Sequence, residues 1–301
     1  MTMVRGSIYS LLRPGLKQVF GGYHKYPDQY KEFLDIVDSD KSEESYTQVR
    51  LLGYAQVKPE GTGINTDPGP AQKYLIRIVN ETVGNSFVMT KEAMEDNLYE
   101  KEFPMSVKAL RDSMVSAKEL AAASFMVDGF SVNEYDGVPL FSANHPTDAG
   151  SISNLIAGDP SEATINDAMI LVNKFTDQAG LPVQAMIKKA IISPKNYFIF
   201  SKLCGSDFSV QTANNDPNPI KRENIIPEGY RINRYMQFVS ATGQNAWFLT
   251  TSIPGLVLQQ RKKIEYDTKV EEFTGTVRTF ASERYGIGVR DFMSVVGSPG
   301  A

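Results

Sequence analysis

Residues 49–79 read VRLLGYAQVKPEGTGINTDPGPAQKYLIRIV, and this stretch decides the fold. Residues 49–57 place apolar side chains at alternate positions, which is the period of a β-strand. Residues 73–79 are rich in β-branched and aromatic side chains, and the prolines and glycines of 59–70 exclude a helix between the two runs. The pattern predicts a long β-hairpin with a flexible tip within residues 46–85. A two-stranded ribbon is marginally stable alone, so this hairpin must lie on another surface, which belongs to another chain if the hairpin projects.

Residues 1–45 are predicted to form an arm rather than a domain, because they are polar and their aromatic side chains have little local core to share. Such an arm packs either on a neighbouring subunit or on its own domain, and the sequence leaves both open. If the arm and the hairpin contact another copy, the candidate inter-subunit residues are Phe20 and Tyr23 in the arm and Lys58, Glu60, Asp67 and Lys73 around the hairpin tip.

A long helix is predicted after the hairpin. Thr90 is a helix-capping residue followed by acidic side chains, and Pro104 predicts a break or restart. From 104 to 128 the apolar residues recur at steps of three and four, and Gly129 is a natural cap. At the rise of an α-helix this rod is about 36 Å long. Its predicted buried face consists of Val107, Leu110, Met114, Ala117 and Ala121.

The remainder predicts a second α/β segment and a strand-rich end. The expected elements are helices over 164–180 and 196–203, buried strands over 190–192 and 246–249, and an alternating strand from 275 to 284 that continues to 296. Together with the hairpin and the long helix, these elements predict the α+β class.

Composition limits the function classes. The chain has 301 residues, 42% of them hydrophobic, and a net charge of −4 from 31 basic and 35 acidic side chains, so tight DNA binding is disfavoured. The single Cys204 excludes an internal disulfide framework and is expected to be a small core residue. No secretory signal or membrane-spanning run is evident. The basic clusters 188–189 and 261–263 are interpreted as solvated charges, the second at a strand start.

No constellation of residues indicates a reaction, a cofactor or a metal site. The two histidines, His24 and His145, stand far apart without a ligand motif, and His145 is expected to be a hydrogen-bonded turn residue. The glycines of 61–63 and 285–288 lack the context of a phosphate-binding loop and are predicted to form turns or close backbone approaches. No GxSxG motif occurs.

The order of these elements resembles the Hong Kong 97-type capsid fold of tailed bacteriophages, and within it the Mu-type major head subunits. The most specific segment is GVPLFSANHP at 137–146, which is similar to the run that follows the spine helix in that family. The ending also fits the family pattern, with AWFL at 246–249, FASERYG at 280–286 and Asp291–Phe292, and EGT at 60–62 is a further similarity.

The resemblance implies a division of the chain and a role for it. The expected parts are an N-terminal arm (1–45), an extended β-hairpin loop (46–85), a peripheral domain with the spine helix (86–159), an axial domain (160–255) and C-terminal strands of the peripheral domain (256–301). The implied role is that of a non-enzymatic major capsid protein. It would form hexamers and pentamers in the virion capsid, assemble in the bacterial cytoplasm with portal and scaffolding proteins, and enclose double-stranded DNA without specific binding. No membrane partner is implied, and decoration proteins are left open.

Two alternatives remain at this stage. The chain could form the shell of a phage-derived cellular nanocompartment, or it could be a soluble α/β hydrolase or binding protein, for which a monomer with a deep polar cleft is expected. Lysine–asparagine cross-linking, known in some relatives, is disfavoured because no partners can be assigned to Lys58 or Lys73, and exposed loop lysines are the simpler interpretation.

Overall fold

The computed structural model describes residues 20, 28–95, 99–209, 216–271 and 273–300. Short 3-10 turns lie at Tyr30–Glu32, Pro194–Asn196 and Phe292–Ser294. The helices are α1 (Lys91–Glu95), α2 (Tyr99–Asp128), α3 (Glu162–Asn173), α4 (Tyr197–Gly205), α5 (Pro219–Arg222), α6 (Met236–Val239) and α7 (Ala241–Asn245). The strands are β1 (Asp35–Asp38), β2 (Glu43–Arg50), β3 (Ala71–Val79), β4 (Glu81–Met89), β5 (His145–Thr147), β6 (Gly150–Ile152), β7 (Ile187–Ile192), β8 (Tyr230–Ile232), β9 (Trp247–Thr251), β10 (Leu256–Val270), β11 (Val277–Val289) and β12 (Val295–Ser298).

Two four-stranded sheets organise the chain. The first sheet has the order β1-β10-β11-β4 and is built on the long antiparallel pair β10 and β11, with β1 added in parallel. The second sheet has the order β12-β9-β7-β8. The strands β2 and β3 form a separate antiparallel ribbon, and β5 and β6 form another. None of the helices in the described ranges combines the length and apolarity needed to cross a bilayer.

The second sheet lies in the main core. Its strands bury Ala190–Ile192 and Trp247–Leu249 completely or nearly so, as the apolar runs predicted. Helix α4 confirms the helix expected near 196–203, whereas α3 ends at Asn173, seven residues before the predicted end. A turn with a left-handed Gly180 follows it.

The C-terminal strand differs from the prediction of one continuous strand to residue 296. Strand β11 ends at Val289, and the chain passes through the turn Phe292–Ser294 before β12 joins the second sheet. Asp291 accepts a hydrogen bond from the Met293 N–H at 2.9 Å and caps this turn. The expected peripheral segment 256–301 therefore contributes a strand to each sheet.

The helix α2, called the spine helix below, runs through Pro104, so the predicted break at this proline is wrong. A proline at the sixth residue removes one intrahelical hydrogen bond, and the apolar face that follows holds the helix in place. Val107, Leu110 and Met114 are buried against the first sheet. The predicted positions Ala117 and Ala121 are only half-buried, because the buried face shifts to Lys118, Glu119, Ala122, Ala123, Met126 and Val127.

Two predictions for the ends of these helices have different outcomes. The Thr90 hydroxyl accepts a hydrogen bond from the Ala93 N–H at 3.4 Å, which confirms Thr90 as the residue that begins α1. Gly129 follows the spine helix but is not left-handed. A methyl group there would lie 3.2 Å from Leu140 and 3.1 Å from Phe141, so Gly129 serves close packing rather than a helix cap.

The predicted hairpin is present with shifted boundaries. Its first strand is Glu43–Arg50 rather than 49–57, and it pairs with Ala71–Val79 through a bulge at Gln48–Val49. The alternating apolar residues Val49, Leu51 and Val57 are exposed in the described structure and do not mark a buried strand face. The following strand β4 (Glu81–Met89) pairs with β11 in the first sheet, so the sheet begins before the predicted boundary at residue 85.

Candidate inter-subunit surfaces

The connection between β2 and β3, residues 51–70, forms an extended loop with a closed neck. The Asp67 carboxylate accepts hydrogen bonds at 3.0 Å from the Arg50 guanidinium and from the backbone N–H groups of Gly53 and Gly69. The Arg50 hydrogen bond and these two N–H groups lower the pKa of Asp67 to about 2. The loop is therefore tied at its base and not merely a floppy tip.

At and beyond this neck the loop exposes a group of large apolar side chains. Val57 is 95% exposed and Ile64 is 82% exposed. Single exposed apolar residues are ordinary, but a group of them on one projecting segment marks a contact surface. We call this group the loop surface; its members are Leu51, Leu52, Tyr54, Val57 and Ile64.

The base of the ribbon, in contrast, is docked on its own chain. The Tyr46 hydroxyl accepts a hydrogen bond from Gln259 at 2.9 Å, and the Arg290 guanidinium lies 3.8 Å from the Tyr46 ring centre. A methyl group on Gly286 would lie 2.5 Å from the Val79 carbonyl oxygen, and one on Gly288 would lie 2.7 Å from Ile78. These glycines confirm the predicted close backbone approach. In the described part of the chain, the base of the hairpin is supported by the first sheet, whereas apolar side chains of the loop stay exposed.

A second contact fixes the ribbon from the side. The Lys73 ammonium pairs with the Asp148 carboxylate in the turn between β5 and β6, and Arg50 lies 3.4 Å from the same carboxylate. The Tyr74 hydroxyl donates to the Pro146 carbonyl at 3.3 Å. The direction in which the loop projects is thus set by the segment 145–150.

The six candidate residues fall into three groups. Lys58 and Glu60 are exposed on the loop beside the loop surface, so their predicted contact with another subunit stays open. Asp67 and Lys73 are engaged within their own chain by the neck and by Asp148, as described above. The two arm candidates, Phe20 and Tyr23, form the third group.

Phe20 lies in a small core and not on a free surface. It is 4% exposed, its ring is stacked 4.9 Å from that of Tyr266, and the Arg111 guanidinium lies 5.2 Å from its centre. An inter-subunit contact of this ring would require it to leave its own chain, and that role stays a prediction. Tyr23 lies outside the described residues.

The base of the arm, residues 28–34, is anchored by charges that the sequence analysis missed. Buried Glu119 of the spine helix accepts hydrogen bonds from the backbone N–H groups of Gln29 at 2.6 Å and Tyr30 at 3.0 Å. Its neighbour Lys118 is also buried and forms an ion pair with Glu283 of β11. One feature of the sequence could have indicated a buried charge here. Lys118 follows Met114 by four residues and so lies on the apolar face of the helix.

The comparisons with known proteins bear on the architecture just described. No protein-family model and no curated protein matches the sequence. Among solved structures, the capsid of a native GTA particle matches with a TM-score of 0.59 and 13% identity, over 92% of this chain and 91% of that one. The mature capsid of bacteriophage PhiM1 matches at 0.58 and 10% identity, over 92% and 88%. A virus-like particle from Pyrococcus furiosus matches at 0.54 and 11% identity, over 97% and 99%.

This chain has the Hong Kong 97-type capsid fold. Each of these matches covers more than nine-tenths of the chain. The α+β class and the capsid fold predicted from the sequence are therefore confirmed.

Within the capsid fold, the segment 137–146 forms the junction between the two sheets. His145 is buried in β5, with Nδ1 2.6 Å from Asp136 and Nε2 3.0 Å from the Asn154 side-chain oxygen, and its ring is stacked 4.0 Å from that of Phe292. The expected hydrogen bonding of His145 is confirmed, but the residue lies in the short strand β5 rather than in a turn. Burial also raises the pKa of nearby Asp291 to about 6.

Asn154 completes this junction. Its amide nitrogen donates to the carbonyl groups of Leu140, Phe292 and Val295 at 2.7 to 3.3 Å, and its oxygen also accepts from the Ser142 N–H at 2.9 Å. These bonds fix the orientation of the amide, so the oxygen faces His145 and Nε2 must donate to it. The junction is a satisfied polar network that joins the loop after the spine helix to the C-terminal strand.

The two basic clusters match the expectation in part, since Lys188, Lys262 and Lys263 are exposed. Residues 261–263 lie inside β10, not at its start, where the strand is irregular and β1 no longer pairs with it. Lysines on an open edge discourage pairing with other strands. Lys189 is not a free solvated charge, because it lies 2.8 Å from Glu32 and 3.1 Å from Glu228.

Two cavities lie along the arm base. The larger, about 670 Å³, lies between the arm base, the spine helix and β10, and the second, about 410 Å³, lies between the arm base and the second sheet. The described residues around the larger cavity include the paired charges Lys118 and Glu283, and those around either cavity include no histidine or cysteine. No group of three potential metal ligands occurs in the parts of the chain that the structure describes.

Proposed function

We propose that this chain is the major capsid subunit of a tailed bacteriophage and that its copies assemble into a closed icosahedral shell around double-stranded DNA. The observation that carries the proposal is the loop surface, an apolar group that projects from a ribbon anchored on its own chain. In a chain with this fold, the surface that would cover such a loop belongs to a neighbouring copy. The role is structural and not enzymatic.

The energetics support contact with a neighbour. Burying one large apolar side chain contributes about 1.5 to 3 kcal/mol, so five such side chains could favour each contact substantially after the entropic cost of association. Repeated contacts in a closed shell add to one another, and each alone can be weak. Because the neck and the base are already ordered, the loop loses less conformational freedom on binding than a free segment would.

The remaining parts of the proposal follow from the fold and the charge. Hexamers and pentamers built by head-to-tail contacts close into shells when their rotations fit. The net charge of −4 favours enclosure of DNA over tight binding. Portal and scaffolding proteins as partners, assembly in the bacterial cytoplasm and a location in the virion complete the hypothesis, together with the five-part division of the chain.

The finer assignment to Mu-type head subunits is also a proposal. Its support is the segment GVPLFSANHP, in which Leu140, Phe141 and His145 are buried at the junction between the sheets. Packing restricts which side chains fit at these buried positions. Similarity in this short segment therefore supports the assignment to the family more than its length alone would.

The test is assembly of the purified full chain and of a loop variant. Size-exclusion chromatography and negative-stain electron microscopy should show shells or large rings for the wild type. The double variant Val57→Ser/Ile64→Ser should give free subunits or small oligomers with an unchanged melting temperature, since both side chains are exposed in the subunit. A wild type that stays monomeric would contradict the proposal and favour a soluble hydrolase or binding protein.

A matched control separates the loop from general surface effects. Val132→Ser/Ile170→Ser also replaces two exposed apolar side chains, but on the body of the chain, and it should assemble like the wild type. If the loop variant assembles as well as this control, the loop surface is not the contact that builds the shell.

A second candidate function is a shell that encloses cellular cargo rather than a viral genome. The match to the virus-like particle from Pyrococcus furiosus, which spans 97% of this chain and 99% of that one, favours keeping it. Shells purified from the native host distinguish the two functions. Double-stranded DNA inside them supports the virion, and an enclosed protein without a genome supports the compartment.

A further inference from the structure

We propose that Glu119 makes the docking of the arm base pH-dependent, so that residues 28–34 are held more firmly at mildly acidic pH and loosen as the pH rises to neutrality. This inference concerns the single subunit and does not require shell formation. Its consequence for assembly, a pH-dependent direction of the arm, rests on the proposed function.

The geometry gives one carboxylate control over the point where the arm meets the spine helix. Glu119 is 2% exposed. It accepts the Gln29 N–H at 2.6 Å and the Tyr30 N–H at 3.0 Å, where the chain enters the turn Tyr30–Glu32. These are the first backbone N–H groups at the start of the turn. Their acceptor is the side chain of Glu119, which is distant in sequence, and not a side chain of the turn itself. When residues 28–30 move away, Glu119 becomes accessible to water.

Charges around Glu119 do not compensate its burial. The arm base contributes Asp28 and Tyr30, and Asp28 is paired with Lys31 at 2.5 Å. The spine helix contributes Lys118, and β11 contributes Glu283 and Tyr285.

Lys118 is the cation whose charge acts on Glu119, and its ion-pair partner is a different carboxylate. Its ammonium contacts Glu283 and lies 5.7 Å from the Tyr30 ring centre and 5.0 Å from that of Tyr285. Glu119 therefore has two backbone donors but no cation paired with it among the described residues. The two N–H donors favour the ionised carboxylate, but burial is the larger effect and favours the neutral form.

The direction of the effect follows from proton linkage. Burial, with Asp28 adding to it, raises the pKa of Glu119 from 4.5 to about 7 in the docked state. In an open state the carboxyl group meets water and returns towards its ordinary value, so the docked state binds the proton more tightly. Docking is therefore favoured at low pH, weakens as the pH rises between these two values, and is constant above them. The opening constant can rise by up to roughly 300-fold across this window.

Amide hydrogen exchange on the full chain, measured as free subunits, tests the proposal directly. Exchange of Gln29 and Tyr30 is compared between wild type and Glu119→Gln at each pH, so that the intrinsic exchange rate cancels. Between about pH 5 and about pH 8, the wild-type rate relative to the variant should rise by one to two orders of magnitude. A ratio that stays constant over this range would overturn the proposal.

Two further variants complete the design. Glu134→Gln removes another carboxyl group whose burial raises its pKa, away from the arm, and it should leave the wild-type profile of Gln29 and Tyr30 unchanged. Asp28→Asn removes a negative neighbour and should move the midpoint of the wild-type profile to lower pH. If Glu119→Gln does not fold, an unchanged midpoint in Asp28→Asn overturns the proposal. A chain that shows this profile but forms no shells contradicts the proposed function alone.

Discussion

Replacement of Gly286 by alanine should undock the ribbon from the first sheet. The added methyl carbon would lie 2.5 Å from the Val79 carbonyl oxygen and 3.1 Å from the Asn80 side-chain oxygen. The first of these atoms is backbone, so no side-chain rotation relieves the overlap, and the ribbon must move by nearly 1 Å to reach ordinary contact. Overpacking of this kind costs about 1 to 3 kcal/mol.

Urea unfolding of the free subunit measures this cost as a lower free energy of unfolding. Limited proteolysis should also cleave the loop 51–70 faster, because the base of the ribbon, which orders the loop, is displaced. The control is Gly63→Ala, where a methyl group meets no atom within 4 Å, and its stability should equal that of the wild type. If Gly286→Ala is as stable as Gly63→Ala, the close approach of ribbon and sheet does not hold the ribbon.

Three other changes test the anchors. Lys118→Met should lower the free energy of unfolding by about 3 to 5 kcal/mol at neutral pH, because Glu283 is left buried without its partner, and adding Glu283→Gln should recover part of the loss in urea titrations. Asn154→Ala removes the amide that binds His145 and three carbonyl groups, and a loss below about 1 kcal/mol in the same assay would contradict its role at the junction. Asp67→Asn should leave the melting temperature unchanged but accelerate proteolysis of the loop. The amide NH2 group that replaces one carboxylate oxygen cannot accept a hydrogen bond from the neck. Equal cleavage rates would show that the neck does not order the loop.

The sequence predicted the elements that depend on local pattern. The spine helix, the buried strands near 190–192 and 246–249 and the turn-rich loop all follow from periodicity and from proline and glycine positions. The predicted ends of the elements were less accurate where tertiary contacts determine them. The strand of the ribbon begins at Glu43 because it pairs with Val79 across the sheet, and nothing within 43–48 alone distinguishes that strand from the arm.

The anchors of the candidate site were not predictable, because they join residues far apart in the chain. The bonds from Glu119 to Gln29 and Tyr30 span 90 and 89 residues, and a charged pair within a helix usually indicates a solvated face. The predicted helix break at Pro104 was wrong for a related reason. The rule that proline ends a helix is local, whereas the burial of Val107, Leu110 and Met114 against the first sheet is not.

The division between anchored and exposed parts explains why a hairpin that is unstable alone can serve a shell. The sequence left open whether the arm packs on its own domain or on another copy, and it predicted that a projecting hairpin lies on another chain. In the structure, Glu119 binds the base of the arm, and the close approach at Gly286 and Gly288 holds the base of the ribbon on the subunit. The bases of the arm and of the ribbon are therefore ordered by contacts within the folded subunit, before any other copy binds. What remains for assembly is the burial of the loop surface, whose apolar side chains gain free energy only when another surface covers them. A subunit built this way presents its contact in a fixed direction and stays dependent on its neighbours for that contact alone.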